Sequence, residues 1–329
     1  MKPVPAVVMA MLVGTTAVHA QSITTEADLT AGFSSQAVTA AATQVRAFGE
    51  VAHGVRFFVE GSLAGERGEE SDAFSAAYPY ENGAHLIEAY GERLFQAGRL
   101  VAGVRAGRFR TPFGIYNRGD HAYVGFLRAP LIRYDDYYAL SNNFLEHGAA
   151  AFLGTSHLLV ESSVGAPADV GEAQRRPGVD AVIRLQAYAG PLILGVSHIR
   201  TKPYLPASFA TGNAVFTGVD ARWMVGGVGL RGEWLFGRPF DGTSTEGGYV
   251  DVSVHRPSMG PVTAVVRAER ISYDTRPPFA LYAHRETLGA RVRIIGGLMA
   301  QLDVLHQTRQ VADGHPVAVD VGLTYSIRH

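Results

Sequence analysis

For most of its length the chain alternates apolar and polar residues with a period of two. It does so in successive segments of roughly 8–12 residues, the pattern of strands with one apolar face. From Val55, one parity reads Val55, Phe57, Val59, Gly61, Leu63 and the other Arg56, Phe58, Glu60, Ser62. Further along, Val179, Ala181, Ile183, Leu185 and Ala187 oppose Asp180, Val182, Arg184, Gln186 and Tyr188. Val215, Thr217, Val219, Ala221 and Trp223 oppose Asp220 and Arg222, and Val228, Leu230, Gly232, Trp234 and Phe236 oppose Gly229, Arg231 and Glu233. Val250, Val252 and Val254 oppose Asp251, Ser253 and His255, and Leu288, Ala290, Val292 and Ile294 oppose Arg291 and Arg293. The last segment runs to the final residues, with Val317, Val319, Val321, Leu323, Tyr325 and Ile327 on one side.

Such alternation serves a soluble β-sandwich, with the apolar side on a core, or a transmembrane barrel, with the apolar side on lipid. The connections separate the two. Short links at Gln96–Gly98, Thr155–Ser156, Ala189–Pro191, Val225–Gly227, Pro257–Gly260 and Gly296–Gly297 alternate with long ones. The long links are Glu66–Ala84, Arg110–Glu146, Ala166–Pro177, Thr201–Gly212, Gly237–Gly247, Asp274–Ala283 and Gln310–Gly314. This is the arrangement of an antiparallel outer-membrane barrel with short periplasmic turns and long extracellular loops. A final strand running down to the periplasm makes the segment around Arg46–Val51 a down strand. Closure on an even number then needs an up strand at Leu29–Phe33, which gives sixteen strands, with fourteen to eighteen tolerated. Sixteen strands leave an aqueous lumen.

The first twenty residues read as a secretory signal: Lys2, an apolar stretch Ala6–Val13, and a small-residue cleavage site Val18–His19–Ala20. Residues 21–329 then form a single barrel domain in the bacterial outer membrane. The 38 glycines are spread evenly and no Pro/Ser-rich linker marks a boundary. Cleavage takes one base, Lys2, from the 29 and none of the 30 acids, so no basic footprint for nucleic acid remains. With 0 cysteines there is neither a disulfide framework nor a thiolate metal site.

A one-residue slip in register would carry the charged parity into hydrocarbon, at roughly 2–4 kcal/mol for a single midplane Arg. Charge therefore sets facing as much as hydrophobicity does. The expected lumen set is Arg56, Glu60, Glu88, Glu92, Arg105, Glu161, Asp180, Arg184, Asp220, Arg222, Arg231, Glu233, Asp251, Arg267, Glu269, Arg291, Arg293 and Asp303. It is of mixed sign, and any single member has a plain alternative as a wall charge paired across strands. Arg108 and Arg110 fall on the lipid parity, at the extracellular end of the strand that starts at Leu100. Contact with surface phosphates, a place past the rim, or a bulge would each account for them.

The 110–146 loop, about 35 residues without a period, is too long to be a mere connection. Its charges Arg118, Asp120, Arg128, Arg133, Asp135 and Asp136 are the expected gatekeepers of a constriction. Its aromatic residues Phe113, Tyr116, Tyr123, Phe126, Tyr134, Tyr137 and Tyr138 either anchor it to the wall or line a sugar-binding slide.

Other chemistry is poorly supported. Gly227–Gly232 matches G-x-G-x-x-G but lies in an alternating strand, where the dinucleotide reading has no helix to use. Glu66, Glu69, Glu70 and Asp72 form an acidic run that reads first as a solvated loop face rather than a divalent-ion site. The histidines, among them His121, His147, His198, His284 and His306, are scattered, and spacing alone brings no nucleophile beside a His–acid pair. No cofactor, metal site or catalytic residue is expected.

At Val104-Arg-Ala-Gly-Arg-Phe-Arg-Thr-Pro-Phe-Gly114 the sequence resembles the phosphate-selective porin O and P family and its porin-like relatives. Val265-Val-Arg-Ala-Glu-Arg-Ile-Ser-Tyr-Asp274 is similar to a late strand of that family, and Thr287-Leu-Gly289 fits the next one. Two departures are Ala268, where an aromatic residue is common, and His329, where outer-membrane barrels usually end on Phe. The resemblance implies a sixteen-stranded barrel, usually a homotrimer, with an infolded loop. Phosphate selectivity does not carry over, because the chain has only Lys2 and Lys202. The expected function is passive diffusion of small hydrophilic solutes or ions, with outer-membrane lipid and lipopolysaccharide as surroundings. A structural or adhesive plugged barrel and an outer-membrane hydrolase are the rivals.

Overall fold

The computed structural model describes residues 22–36, 38–67, 83–115, 127–128, 130–133, 145–167, 178–203, 213–239, 243–274, 281–309 and 316–329. Sixteen strands are present: β1 Ser22–Ser34, β2 Val38–Ala52, β3 Val55–Arg67, β4 Gly83–Ala97, β5 Leu100–Arg110, β6 Leu145–Gly154, β7 Leu158–Pro167 and β8 Gly178–Ala189. They continue as β9 Leu192–Pro203, β10 Ala214–Val225, β11 Val228–Arg238, β12 Ser244–Val254, β13 Val262–Asp274, β14 Leu281–Ile295, β15 Leu298–Arg309 and β16 Val317–Arg328. Each pairs antiparallel with its chain neighbours, and β1 pairs with β16, so the sheet is a closed barrel without an edge. Closure lets the backbone groups of the wall pair from strand to strand around the ring, as a spanning structure requires. It also ties the chain ends together: Thr25 and His329 exchange backbone hydrogen bonds of 3.0 and 2.9 Å.

Facing follows charge. In β8, Asp180, Val182, Arg184 and Gln186 are buried, while Ile183 and Leu185 are exposed on the outside. In β16, Ala318, Asp320 and Thr324 are buried against exposed Val317, Val319, Val321, Leu323 and Tyr325. The outer wall therefore presents a continuous apolar belt. Ile183, 54% exposed at mid-strand, tests it: Ile183→Arg should lower stability by about 2–4 kcal/mol in urea unfolding from phospholipid vesicles. A change within about 0.5 kcal/mol would mean that this face does not meet hydrocarbon.

The links between strands mostly follow the short–long alternation, but 255–261 between β12 and β13 is longer than its neighbours 239–243 and 275–280. Residues 35–37 join β1 and β2 at the end of the barrel where the long links lie. The turn between β12 and β13 carries a single 3₁₀ turn, Pro257–Met259. No helix among the described residues is long and apolar enough to cross a membrane. The 1–20 signal segment lies outside the described residues.

Besides register shifts near the short turns at Glu50–Ala52 and Arg293–Ile295, one lies where β3, β4 and β5 approach the long-loop end. Glu60 pairs with Glu88 but Gly61 pairs with Leu86, so Ile87 is an extra residue in β4, a bulge that re-aims its neighbours. Ile87 turns inward and is fully buried, while Leu86 is 51% exposed. Beside it Gly107 has φ +133°, and a Cβ there would lie 2.4 Å from the Ala89 carbonyl oxygen. Only glycine lets the two backbones come this close.

Candidate functional site

The bulge places the two arginines differently. Arg108 stays on the outer parity, and its Nε donates to the Ile87 carbonyl oxygen at 2.9 Å, with Nη1 3.1 Å from His147 Nε2. Arg110, placed on the lipid side by simple alternation, turns inward instead. Its Nη2 donates to Glu60 at 2.5 Å, its Nε to Glu88 at 3.0 Å, and its own N–H to Glu88 Oε1 at 2.9 Å. A side-chain carboxylate has thus taken the place of the next strand bond, and β5 leaves the wall here.

Beyond β5 the chain enters the barrel. Thr111, Pro112, Phe113, Gly114 and Ile115 are all buried, and the Gly114 N–H donates to Ser197 Oγ on β9 at 3.0 Å. Farther on, the Leu127 N–H donates to Asp303 Oδ2 on β15 at 2.9 Å. Arg128 donates through Nε and Nη2 to the two oxygens of Asp320 on β16, at 2.6 and 2.9 Å. The same Nη2 lies 2.9 Å from Ser34 Oγ on β1 and 3.0 Å from Gln36 Oε1. The Arg128 carbonyl accepts from Arg267 on β13 at 3.0 Å. The 3₁₀ turn Leu131–Arg133 packs on β12 and β13. In the closed order β13 is eight strands from β5, the opposite side of the ring. The described loop residues Leu131–Arg133 therefore rest on the side of the ring opposite β5.

Apolar contacts set its depth. Towards the long-loop end the inward parity of β9–β14 changes from charged to apolar: Ile199, Phe216, Leu235, Ile271 and Ala283 are all buried. Phe113, Leu131 and Ile132 of the loop are buried as well. Wall glycines make room for it. A Cβ on Gly218 would meet Phe113 at 3.4 Å, one on Gly247 would meet Ile132 at 2.9 Å, and one on Gly322 would meet Leu127 at 2.5 Å.

Below this layer the inward wall is a web of ion pairs. On β1–β7, Arg46 lies 3.1 Å from Asp28 and 3.6 Å from Glu60, and Arg105 joins Glu92 at 2.7 Å to Glu161 at 3.5 Å. The Arg105 guanidinium also sits 4.6 Å from the centre of the Tyr90 ring, a cation–π arrangement. On β8–β10, Arg184 forks onto Asp220 at 2.7 and 2.9 Å and donates to Ser197 at 2.5 Å. On β11–β14 Asp251 is shared. Arg231 donates to it, Arg267 forks onto it at 2.6 and 3.0 Å, and Glu269 pairs with Arg285. Tyr249 donates to Glu233 at 3.3 Å.

Of the residues expected in the lumen, Glu60, Glu88, Glu161, Asp180, Arg184, Asp220, Glu233, Asp251, Arg267, Glu269 and Asp303 are buried inside the barrel. Glu92, Arg105, Arg222, Arg231 and Arg291 are half-buried, and Arg56 and Arg293 are exposed near the short turns. Of the expected gatekeepers, Arg118, Asp120, Asp135 and Asp136 lie outside the described residues, as does the Arg133 side chain. Tyr116, Tyr123, Phe126, Tyr134, Tyr137 and Tyr138 lie outside them too, and so does the acidic run from the Glu66 side chain to Asp72. Arg128 is described, and it is a fastening rather than a free charge. The alternation did not single out Arg46, Arg285 or Asp320 as site residues. Arg285 was legible, since extending β14 back from Leu288 places it on the parity of Arg291 and Arg293. Among the described residues no group of three or more His, Asp or Glu is arranged to hold a metal ion.

No family model matches the sequence, and no curated protein does. Solved structures do resemble it, three of them at 10–13% identity. OmpF of Salmonella typhi, in complex with daunomycin, superposes with a TM-score of 0.67 at 10% identity, over 93% of this chain and 97% of that one. The anion-selective porin from Comamonas acidovorans gives 0.63 at 13%, over 94% and 98%. OmpT, an outer membrane protein of Vibrio cholerae in a trimer form, gives 0.60 at 11%, over 93% and 98%. At such identities the likeness is one of fold, and the fold is that of the outer-membrane porins.

Proposed function

We propose that the protein is a non-enzymatic channel in the bacterial outer membrane for passive diffusion of small hydrophilic solutes or ions. One observation carries this reading: a sixteen-stranded barrel with an ionic inner wall holds residues of its own loop, Phe113, Leu127, Arg128, Leu131 and Ile132 among them, inside it. A barrel of this size encloses more than its wall side chains can fill, and a loop held inside narrows that space. In this reading the inward charges from Arg56 to Arg293 line the path. The gatekeepers are the loop charges Arg118, Asp120, Arg133, Asp135 and Asp136, positioned by the Arg128 fastening. The signal segment 1–20, the lipid and lipopolysaccharide surroundings and a homotrimeric assembly belong to the same proposal. The trimer form of the similar Vibrio cholerae protein and the general porin likeness support the last of these. Finer membership in the phosphate-selective porin O and P family rests on the Val104–Gly114 element, with the Val265–Asp274 and Thr287–Gly289 segments beside it.

The test is conductance. Purified protein added to a planar bilayer should give discrete steps, and a reversal potential in a salt gradient should report the sign balance of the path. Absence of steps from folded, heat-modifiable protein would overturn the channel. A second reading, a plugged barrel of structural role, is favoured by the complete burial of Phe113 and Leu131 against the far wall. It requires that no steps appear and that loosening the loop creates none.

A further inference from the structure

The ion-pair web does not reach the short-turn mouth under β12–β15. There a cavity of about 450 Å³ is lined by His255, Thr263, Arg291, Arg293 and Met299, with Gly260 and Pro261 at its rim. Thr263 and Arg291 are direct partners across β13 and β14, and Arg293 faces Met299 across β14 and β15, so both arginines lie on the inward parity. Among the described residues neither makes a hydrogen bond or close ion pair with an acid, and the buried Arg291 Nε has no partner at all. Asp303 is the acid within electrostatic reach of Arg291. Its Oδ2 accepts from the neutral donors Leu127 N–H and Gln301 Nε2, both at 2.9 Å, and its single charge can offset only one of the arginines here. Arg222, on the same half of the wall, likewise has a buried Nε without a partner. Asp251 is spent on Arg231 and Arg267. This side of the mouth therefore carries an excess of positive charge, focused into a cleft.

We propose that this cleft is a binding site for a small oxyanion, held by Arg291 and Arg293 with the Thr263 hydroxyl as a further donor. The chemistry fits. Guanidinium groups give two-pronged, charge-assisted hydrogen bonds to sulfate-, phosphate- or carboxylate-type groups. His255 is positioned at the edge, with Nδ1 3.0 Å from the Val262 carbonyl oxygen. Only a protonated Nδ1 can donate in that contact, which leaves Nε2 turned to other partners. The cleft lies at the opposite end of the barrel from the loop's entry, so it is separate from the constriction.

Sulfate is the probe, because it stays dianionic across the usual working range of pH. Equilibrium dialysis of radiolabelled sulfate against the purified, folded protein in detergent at low ionic strength should show saturable binding. Arg291→Gln/Arg293→Gln should weaken it at least about tenfold, while Arg270→Gln on the outer wall should leave it unchanged. If the double variant does not fold, Arg293→Gln alone, at an exposed position, should still weaken binding measurably. No saturable binding by the native chain, or binding indifferent to these arginines, overturns the site. Conductance without sulfate binding would remove this site and keep the channel, and sulfate binding without conductance would do the reverse.

Discussion

Asp251→Ala is expected to destabilise the barrel by about 3–5 kcal/mol, the usual cost of removing one member of a buried ion pair. The reason is the sharing at this residue. Asp251 accepts from Arg231 and forks with Arg267, whose side chain is only 1% exposed. Without the carboxylate, the guanidinium groups of Arg231 on β11 and Arg267 on β13 lose the charge that lies between them, although Glu269 stays 3.6 Å from Arg267. Glu269 is itself bound to Arg285. Urea unfolding in vesicles should show the loss as a lower midpoint. Asp251→Ala/Arg267→Met should recover much of it, since an apolar replacement of the whole pair is often close to neutral. A single variant within about 0.5 kcal/mol of the native chain would mean that water compensates these charges. That would describe a wetter wall than the burial of Arg267 implies.

The second large effect concerns the loop. Arg128→Ala removes the fork onto Asp320, the bond to Ser34 and the link to Gln36 in one change. The backbone contacts from Arg267 and to Asp303 remain, so the loop should loosen rather than leave. In planar bilayers the expected result is a severalfold larger step with more open-channel noise. Arg128→Lys should lie near the alanine variant, because an ammonium group cannot reproduce a planar fork that reaches Asp320 and Ser34 together. An unchanged step size would show that the path avoids this loop. No step in native or variant protein would favour the plugged barrel.

The two experiments probe different layers of one design. Charged pairs in the wall hold strands in register, since a slip would place them in the apolar belt. Loop contacts place a movable element inside that rigid frame. This division explains why the wall was easier to read than the loop. Alternation is a local property: Asp180 and Arg184 must face opposite to Ile183 wherever their strand sits. Strand count came from direction and closure, again without distant contacts. The turn of Arg110 into the interior was not legible, because it depends on an extra residue in the neighbouring strand at Ile87. A period read along one strand cannot register an insertion in the next.

The loop shows the same limit more strongly. Phe113, Leu131 and Ile132 have no period that announces their depth, and the buried wall residues Phe216, Leu235 and Ile271 occupy parities that carry charge elsewhere. One signal was available. The inward parity of β9–β14 becomes apolar towards the long-loop end, and an apolar inner wall needs cover. Which segment would supply it could not be told from sequence spacing alone.

By itself, then, the sequence determined the barrel class, its strand period and its facing, and it pointed to sixteen strands within fourteen to eighteen, because these rest on alternation, link length and the cost of charge in hydrocarbon. Only the tertiary structure decided that Leu131–Arg133 of the loop rest on β12 and β13, that Arg128 fastens it, and which arginines are neutralised. Those outcomes depend on residues far apart in the chain, Arg128 and Asp320 among them, which closure of the ring brings within 2.6 Å of each other.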